Sequence, residues 1–116
     1  MTTISKQALS GSTDGLGIKV AATASTGTTI HTAPSGTSSW DEVWIYAVNT
    51  SSSGVKLTIQ YGGTTSPDND IEVTIAGESG EFLVIPGHLI RNSKVIYAFA
   101  GTANVIVLYG HVNRIT

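Results

Sequence analysis

Three features of this chain predict an all-β fold: an antiparallel β-sandwich of about eight strands, jelly-roll-like, with an extended N-terminal arm. Apolar side chains recur at every second position in most segments, the period of a strand with two unlike faces. Clusters of Gly, Pro, Asn, Asp and Ser punctuate those segments at the spacing of short antiparallel strands. Helix-period patterning is nearly absent, since Gln7–Ser10 is shorter than two turns and Ser10-Gly11-Ser12 interrupts it.

Residues 1–13 form the expected arm, with Ile4 and Leu9 as its apolar anchors and Gly11-Ser12-Thr13-Asp14-Gly15 as a flexible exit. The segment either docks on another surface, which makes Ile4 and Leu9 interface residues, or frays as termini do. Residues 14–116 form a single sandwich domain. Gly17–Ala22 and Thr28–Thr32 are short strands, and Asp41–Asn49, β-branched and aromatic, carries the clearest strand signal. In Val55–Tyr61 the residues Val55, Leu57, Ile59 and Tyr61 face one way, while Lys56, Thr58 and Gln60 face the other. Ile71, Val73 and Ile75 repeat that pattern, and Glu81–Ile85, Lys94–Phe99 and Asn104–Asn113 complete the set. Gly62-Gly63 and Ser66-Pro67-Asp68-Asn69 supply turn geometry, Gly77-Glu78-Ser79-Gly80 closes a hairpin, and Pro86-Gly87 fits a type II turn. Asn92-Ser93 and Gly101-Thr102 mark the last reversals.

Three strands are apolar on both faces. Trp40, Glu42, Trp44, Tyr46 and Val48 oppose Val43, Ile45 and Ala47. Val95, Tyr97 and Phe99 oppose Ile96 and Ala98, and Val105, Val107 and Tyr109 oppose Ile106, Leu108 and Val112. A two-sheet sandwich buries one face of each strand. The other face therefore needs a cover, from loops, the arm or a neighbouring subunit.

Composition narrows the chemistry. At 116 residues the chain is one domain's worth, and with no cysteine it has neither disulfides nor thiolate chemistry. A net charge of −2 gives no electrostatic footprint for nucleic acid or an anionic membrane. Charged residues are 12% of the chain, about half the usual share, and 16 Thr, 13 Ser and 13 Gly make a neutral hydroxyl-rich exterior. No apolar run is long enough for a transmembrane helix, and the first six residues lack the apolar region of a signal peptide. The expected product is made in the cytosol and used there or released by lysis.

Searches for catalytic or metal motifs find no constellation. Gly15-Leu16-Gly17 lacks the third glycine and helix of a dinucleotide fingerprint, and Asp68-Asn69-Asp70-Ile71-Glu72 lacks the glycine and distal glutamate of a calcium loop. His31, His88 and His111 are too far apart in sequence for a zinc motif on one element, Ser12 has no nucleophile-elbow context, and Asp41 and Glu42 point to opposite faces. The chain is thus expected to have no cofactor, metal or catalytic residue. Trp40, Trp44 and Tyr46 have two readings. Trp44 and Tyr46 belong to the core with Trp40 at its rim, or the three form a platform that stacks on sugar rings.

A solitary sandwich guards its edges with charge, especially lysine, and with proline. Four lysines and three prolines are few guards for strands this apolar, so self-association is expected. Leu9-Ser10-Gly11-Ser12-Thr13-Asp14-Gly15, Gly17–Thr23, Ile30-His31-Thr32-Ala33, Asp41–Asn49, Gly62–Asp68 and the ending Gly110-His111-Val112-Asn113-Arg114-Ile115 together resemble small virion proteins of tailed bacteriophages. Among such proteins the chain most resembles capsid decoration (cement) proteins. The resemblance implies a short β-domain, commonly a homotrimer, that sits on the outer shell and ties capsomers together without enzyme activity. Its partners would be copies of itself and the major capsid protein or another virion protein, with assembly in the host cytoplasm and residence in the virion. The alternative is a carbohydrate-binding jelly-roll module of a phage tail or fibre, working through Trp40, Trp44 or Tyr46.

Overall fold

The computed structural model describes residues 2–116. They form nine strands: β1 (Ile4–Ala8), β2 (Ile18–Lys19), β3 (Thr28–Thr32), β4 (Trp40–Asn49), β5 (Val55–Tyr61), β6 (Asp70–Ile75), β7 (Glu81–Ile90), β8 (Val95–Ala100) and β9 (Ile106–Ile115). The first sheet runs β1–β9–β4–β7, with β2 pairing β9 beyond the end of β1; the second runs β3–β8–β5–β6. Every pairing is antiparallel. The pairs β2–β9, β3–β8, β4–β7 and β5–β6 nest inside one another, which is the jelly-roll path.

Alternation sets the core. In β4 the side chains of Val43, Ile45 and Ala47 are buried, and Ile106, Leu108 and Val112 of β9 share their face. Ile85 of β7 joins them, and across the interior they meet Leu57 and Ile59 of β5, Ile96 and Ala98 of β8, and Ile30 of β3. Burying each large aliphatic contributes about 1.5–3 kcal/mol. This layer holds the two sheets together.

The N-terminal segment departs from expectation. Ile4–Ala8 lies in the molecule's own sheet as β1, paired along β9 from Ile4↔Ile115 to Ala8↔His111. The gain is satisfied backbone: without β1 this edge of β9 would present unpaired N–H and C=O groups. Met1 lies outside the described residues. Leu9, expected at an interface, is 1% exposed and belongs to the core, so of the expected pair only Ile4, at 66%, faces outward. Beyond Leu9 the chain is tied to β3: Gly11 N–H donates to the Ile30 carbonyl, and Thr32 N–H donates to Ser10 Oγ.

Two turn assignments also change. Gly77–Gly80 connects β6 to β7 in the other sheet, so it is a crossover and not a hairpin. Asn49 secures it, donating through Nδ2 to the Ile75 and Ser53 carbonyls and accepting Glu78 N–H at its own carbonyl. Pro86-Gly87 lies inside β7, which runs on to Ile90 with two register shifts against β4. Proline is tolerated there because β7 is an edge strand.

Candidate interaction surface

Residues directly opposite each other in an antiparallel pair point to the same side. The outer face of the first sheet can therefore be read row by row. One row is Ile4, Ile115 and Trp40; the next is Lys6, Asn113, Glu42 and Leu89. Then come Ala8, His111, Trp44 and Pro86, followed by Tyr109, Tyr46 and Leu83. The last row is Lys19, Val107, Val48 and Glu81. Among the described residues, six large apolar side chains are exposed, and Ile4, Leu83, Leu89 and Tyr109 of this face are four of them.

The aromatic side chains lie down on this face because glycines beneath them make room. Gly87, at a φ of 83°, sits under the Trp44 indole, where a Cβ would come within 2.9 Å of the ring. Gly17 lies under Tyr109 in the same way. Trp44 stacks on His111 with centroids 6.4 Å apart and planes 14° from parallel, and its indole N–H donates to Glu42 Oε1 at 2.9 Å. Asn113 Nδ2 donates to the same oxygen at 2.9 Å. The bonds from Asn113 and Trp44 hold the Glu42 carboxyl below its ordinary pKa. Burial, with Lys6 nearby, lowers the pKa of His111 despite the opposing pull of Glu42. At neutral pH the middle of the face thus carries a held carboxylate and an uncharged imidazole amid aromatic and aliphatic groups, with Lys6, Lys19 and Glu81 at its edges.

Trp40, Trp44 and Tyr46 are together on this outer face, half-buried, which corrects the reading of Trp44 and Tyr46 as core. The core side of β4 is the Val43, Ile45, Ala47 set. As sugar platforms the tryptophans are partly engaged already. The Arg91 guanidinium lies 4.0 Å from the Trp40 ring centre, anchored by its bond to the Thr37 carbonyl, and Trp44 is stacked on His111.

The three histidines occupy three different places. His88 meets the edge of Tyr61, His111 lies on the outer face, and His31 is buried beside Asp41. That last contact belongs to a cluster that pattern reasoning did not find. Arg114 holds Asp41 with two bonds, Nε to Oδ1 at 2.8 Å and an Nη to Oδ2 at 3.0 Å. His31 Nε2 lies 2.6 Å from Oδ2, and His31 Nδ1 accepts Ser10 N–H at 2.9 Å. The network assigns the ring hydrogen to Nε2, because Nδ1 is the acceptor. Burial opposes ionisation of Asp41, but the bonds from Arg114 and His31 outweigh it and keep the carboxyl below its ordinary pKa. With both ring nitrogens of His31 and both oxygens of Asp41 engaged, the cluster clamps the N-terminal segment, β3, β4 and β9 together.

The second sheet covers part of its own outer face. Gln60 is 2% exposed because the loop before β3 folds over it: Gly27 N–H donates to Gln60 Oε1, and Gln60 Nε2 donates to Ser25 Oγ. Among the described residues no enclosed pocket forms. The chain matches no family model, no curated protein and no solved structure.

Proposed function

We propose that this chain is a structural virion protein of a tailed bacteriophage, a capsid decoration protein that stabilises the head through oligomeric surface contacts. The observation carrying this reading is the outer face of the first sheet, where Trp44, Tyr46, Tyr109, Leu83 and Leu89 lie among the charged residues Lys6, Glu42, Lys19 and Glu81. Exposed aromatic and aliphatic side chains gathered on one face are what a protein–protein interface needs at its centre. A charge content of 12% favours contacts that tolerate changes in salt. The sequence resemblance to cement proteins supplies the setting: copies of the chain and the major capsid protein as partners, and assembly in the host cytoplasm. The test is electron microscopy of phage particles assembled with and without the chain. Density on the shell that is lost with the chain supports the reading; identical particles overturn it.

A carbohydrate-binding module of a tail or fibre is the second reading, favoured by the gathering of Trp40, Trp44 and Tyr46 on one face. It calls for tryptophan emission to change on titration with host polysaccharide. Unchanged emission across a broad glycan panel removes it.

A further inference from the structure

We infer that the outer face of the first sheet is a two-fold interface between two copies of this chain, with Lys19 of each copy facing Glu81 of the other. The inference rests on the assembly reading above and names its surface and partner, with a two-fold pair in place of the homotrimer that the resemblance implies. It begins from the asymmetry of the two sheets. The loop carrying Ser25 and Gly27 closes over Gln60 on the second sheet, whereas Tyr109, Leu83 and Leu89 are left exposed on the first. The open face is also large enough. Four strands about 4.8 Å apart and up to ten residues long span roughly 19 by 33 Å. A face-to-face pair would therefore bury on the order of 600 Å² per copy, about 1,200 Å² in total, where specific interfaces begin.

Charge placement selects a second copy as the occupant. The row Lys19, Val107, Val48, Glu81 crosses the whole sheet, with a cation at the β2 edge and an anion at the β7 edge. Three strand spacings, roughly 14 Å, keep the two from meeting within one chain. Neither has an ion-pair partner among the described residues. A two-fold axis parallel to the strands exchanges the β2 and β7 edges, and β9 with β4. It sets Lys19 over Glu81 twice, Val107 over Val48, Tyr109 over Tyr46 and His111 over Trp44. Along these rows apolar and aromatic side chains meet one another and the row ends meet opposite charge, while in the row beyond them Asn113 meets Glu42 and Lys6 meets Leu89. Such self-complementarity defines an isologous contact.

The test is sedimentation equilibrium at low ionic strength on the wild-type chain, Lys19→Glu, Glu81→Lys, an equimolar mixture of those two, and the double exchange. The wild type is expected at twice the 12.0 kDa chain mass. Each single variant places like charges at both ends of the pair and should weaken association about tenfold or more. The mixture and the double exchange restore opposite charges at both contacts and should pair like the wild type. Circular dichroism of each variant checks that the fold is kept. A monomeric or trimeric wild type, single variants that pair as the wild type does, or a mixture that stays monomeric overturns the inference. Binding to phage particles is scored separately. A chain that pairs but leaves particles bare sinks the virion reading alone, and a trimer that decorates particles sinks the two-fold pairing alone.

Discussion

Asp41 is the residue on which the largest single electrostatic stake rests. It is fully buried, and its charge is compensated by the two bonds from Arg114 and the contact with His31. Removing one partner of a buried pair leaves a charge without compensation, so Arg114→Ala should destabilise the fold by about 3 kcal/mol in chemical denaturation. Asp41→Asn removes the charge itself and should cost less. The same geometry fixes a pH dependence. The folded pKa of Asp41 lies below its ordinary value of 3.8, so the unfolded chain takes up the proton first as pH falls. The stabilisation is complete above that ordinary value and is lost as pH drops on through the folded one. Denaturation midpoints between pH 6 and pH 2 should show this decline in the wild type and a shallower one in Asp41→Asn. An equal decline in both would dissociate the effect from Asp41.

At the scale of elements, β7 and β1 carry the features most open to test. Gly87 combines a positive φ with the Trp44 ring directly above it. Gly87→Ala strains the backbone and pushes on the indole, so it should lower stability by about 1–2 kcal/mol and shift tryptophan emission. Emission unchanged from the wild type would mean that the ring does not rest there. Deleting Thr2–Gln7 removes most of β1 but keeps Leu9 in the core. The shortened chain should still give a β-sheet circular dichroism spectrum and a cooperative thermal transition, with the Val112 and Arg114 amides exchanging faster with solvent. Loss of the transition would show that β1 is needed for folding. These elements differ in how openly the sequence displays them. β3 and β5 match their predicted bounds, Thr28–Thr32 and Val55–Tyr61, because alternation and turn residues agree there. β1 escaped notice because an edge strand on a neighbour's backbone needs few apolar side chains, and Ile-Ser-Lys-Gln-Ala offers a single large one.

For the molecule as a whole, nested pairing turns a string of local signals into two sheets with unequal exteriors. The jelly-roll path was legible from strand spacing, yet which face of β4 looks inward was not, since both are apolar. The deciding information lies in the partner strand: His111 and Asn113 of β9 fall on the Trp44 and Glu42 side and mark it as the outer face. The buried cluster of His31, Asp41 and Arg114 was equally hidden. Its members come from three strands and meet only when β9 closes beside β4. The chain's two tryptophans, Trp40 and Trp44, both lie on the first sheet's outer face, so tryptophan fluorescence, excited at wavelengths tyrosine does not absorb, reports on that face alone. The decisive measurement is acrylamide quenching of that fluorescence over a hundredfold dilution. A covered face predicts weak quenching in concentrated solution that rises as pairs dissociate; strong quenching of the same slope at every concentration would contradict it.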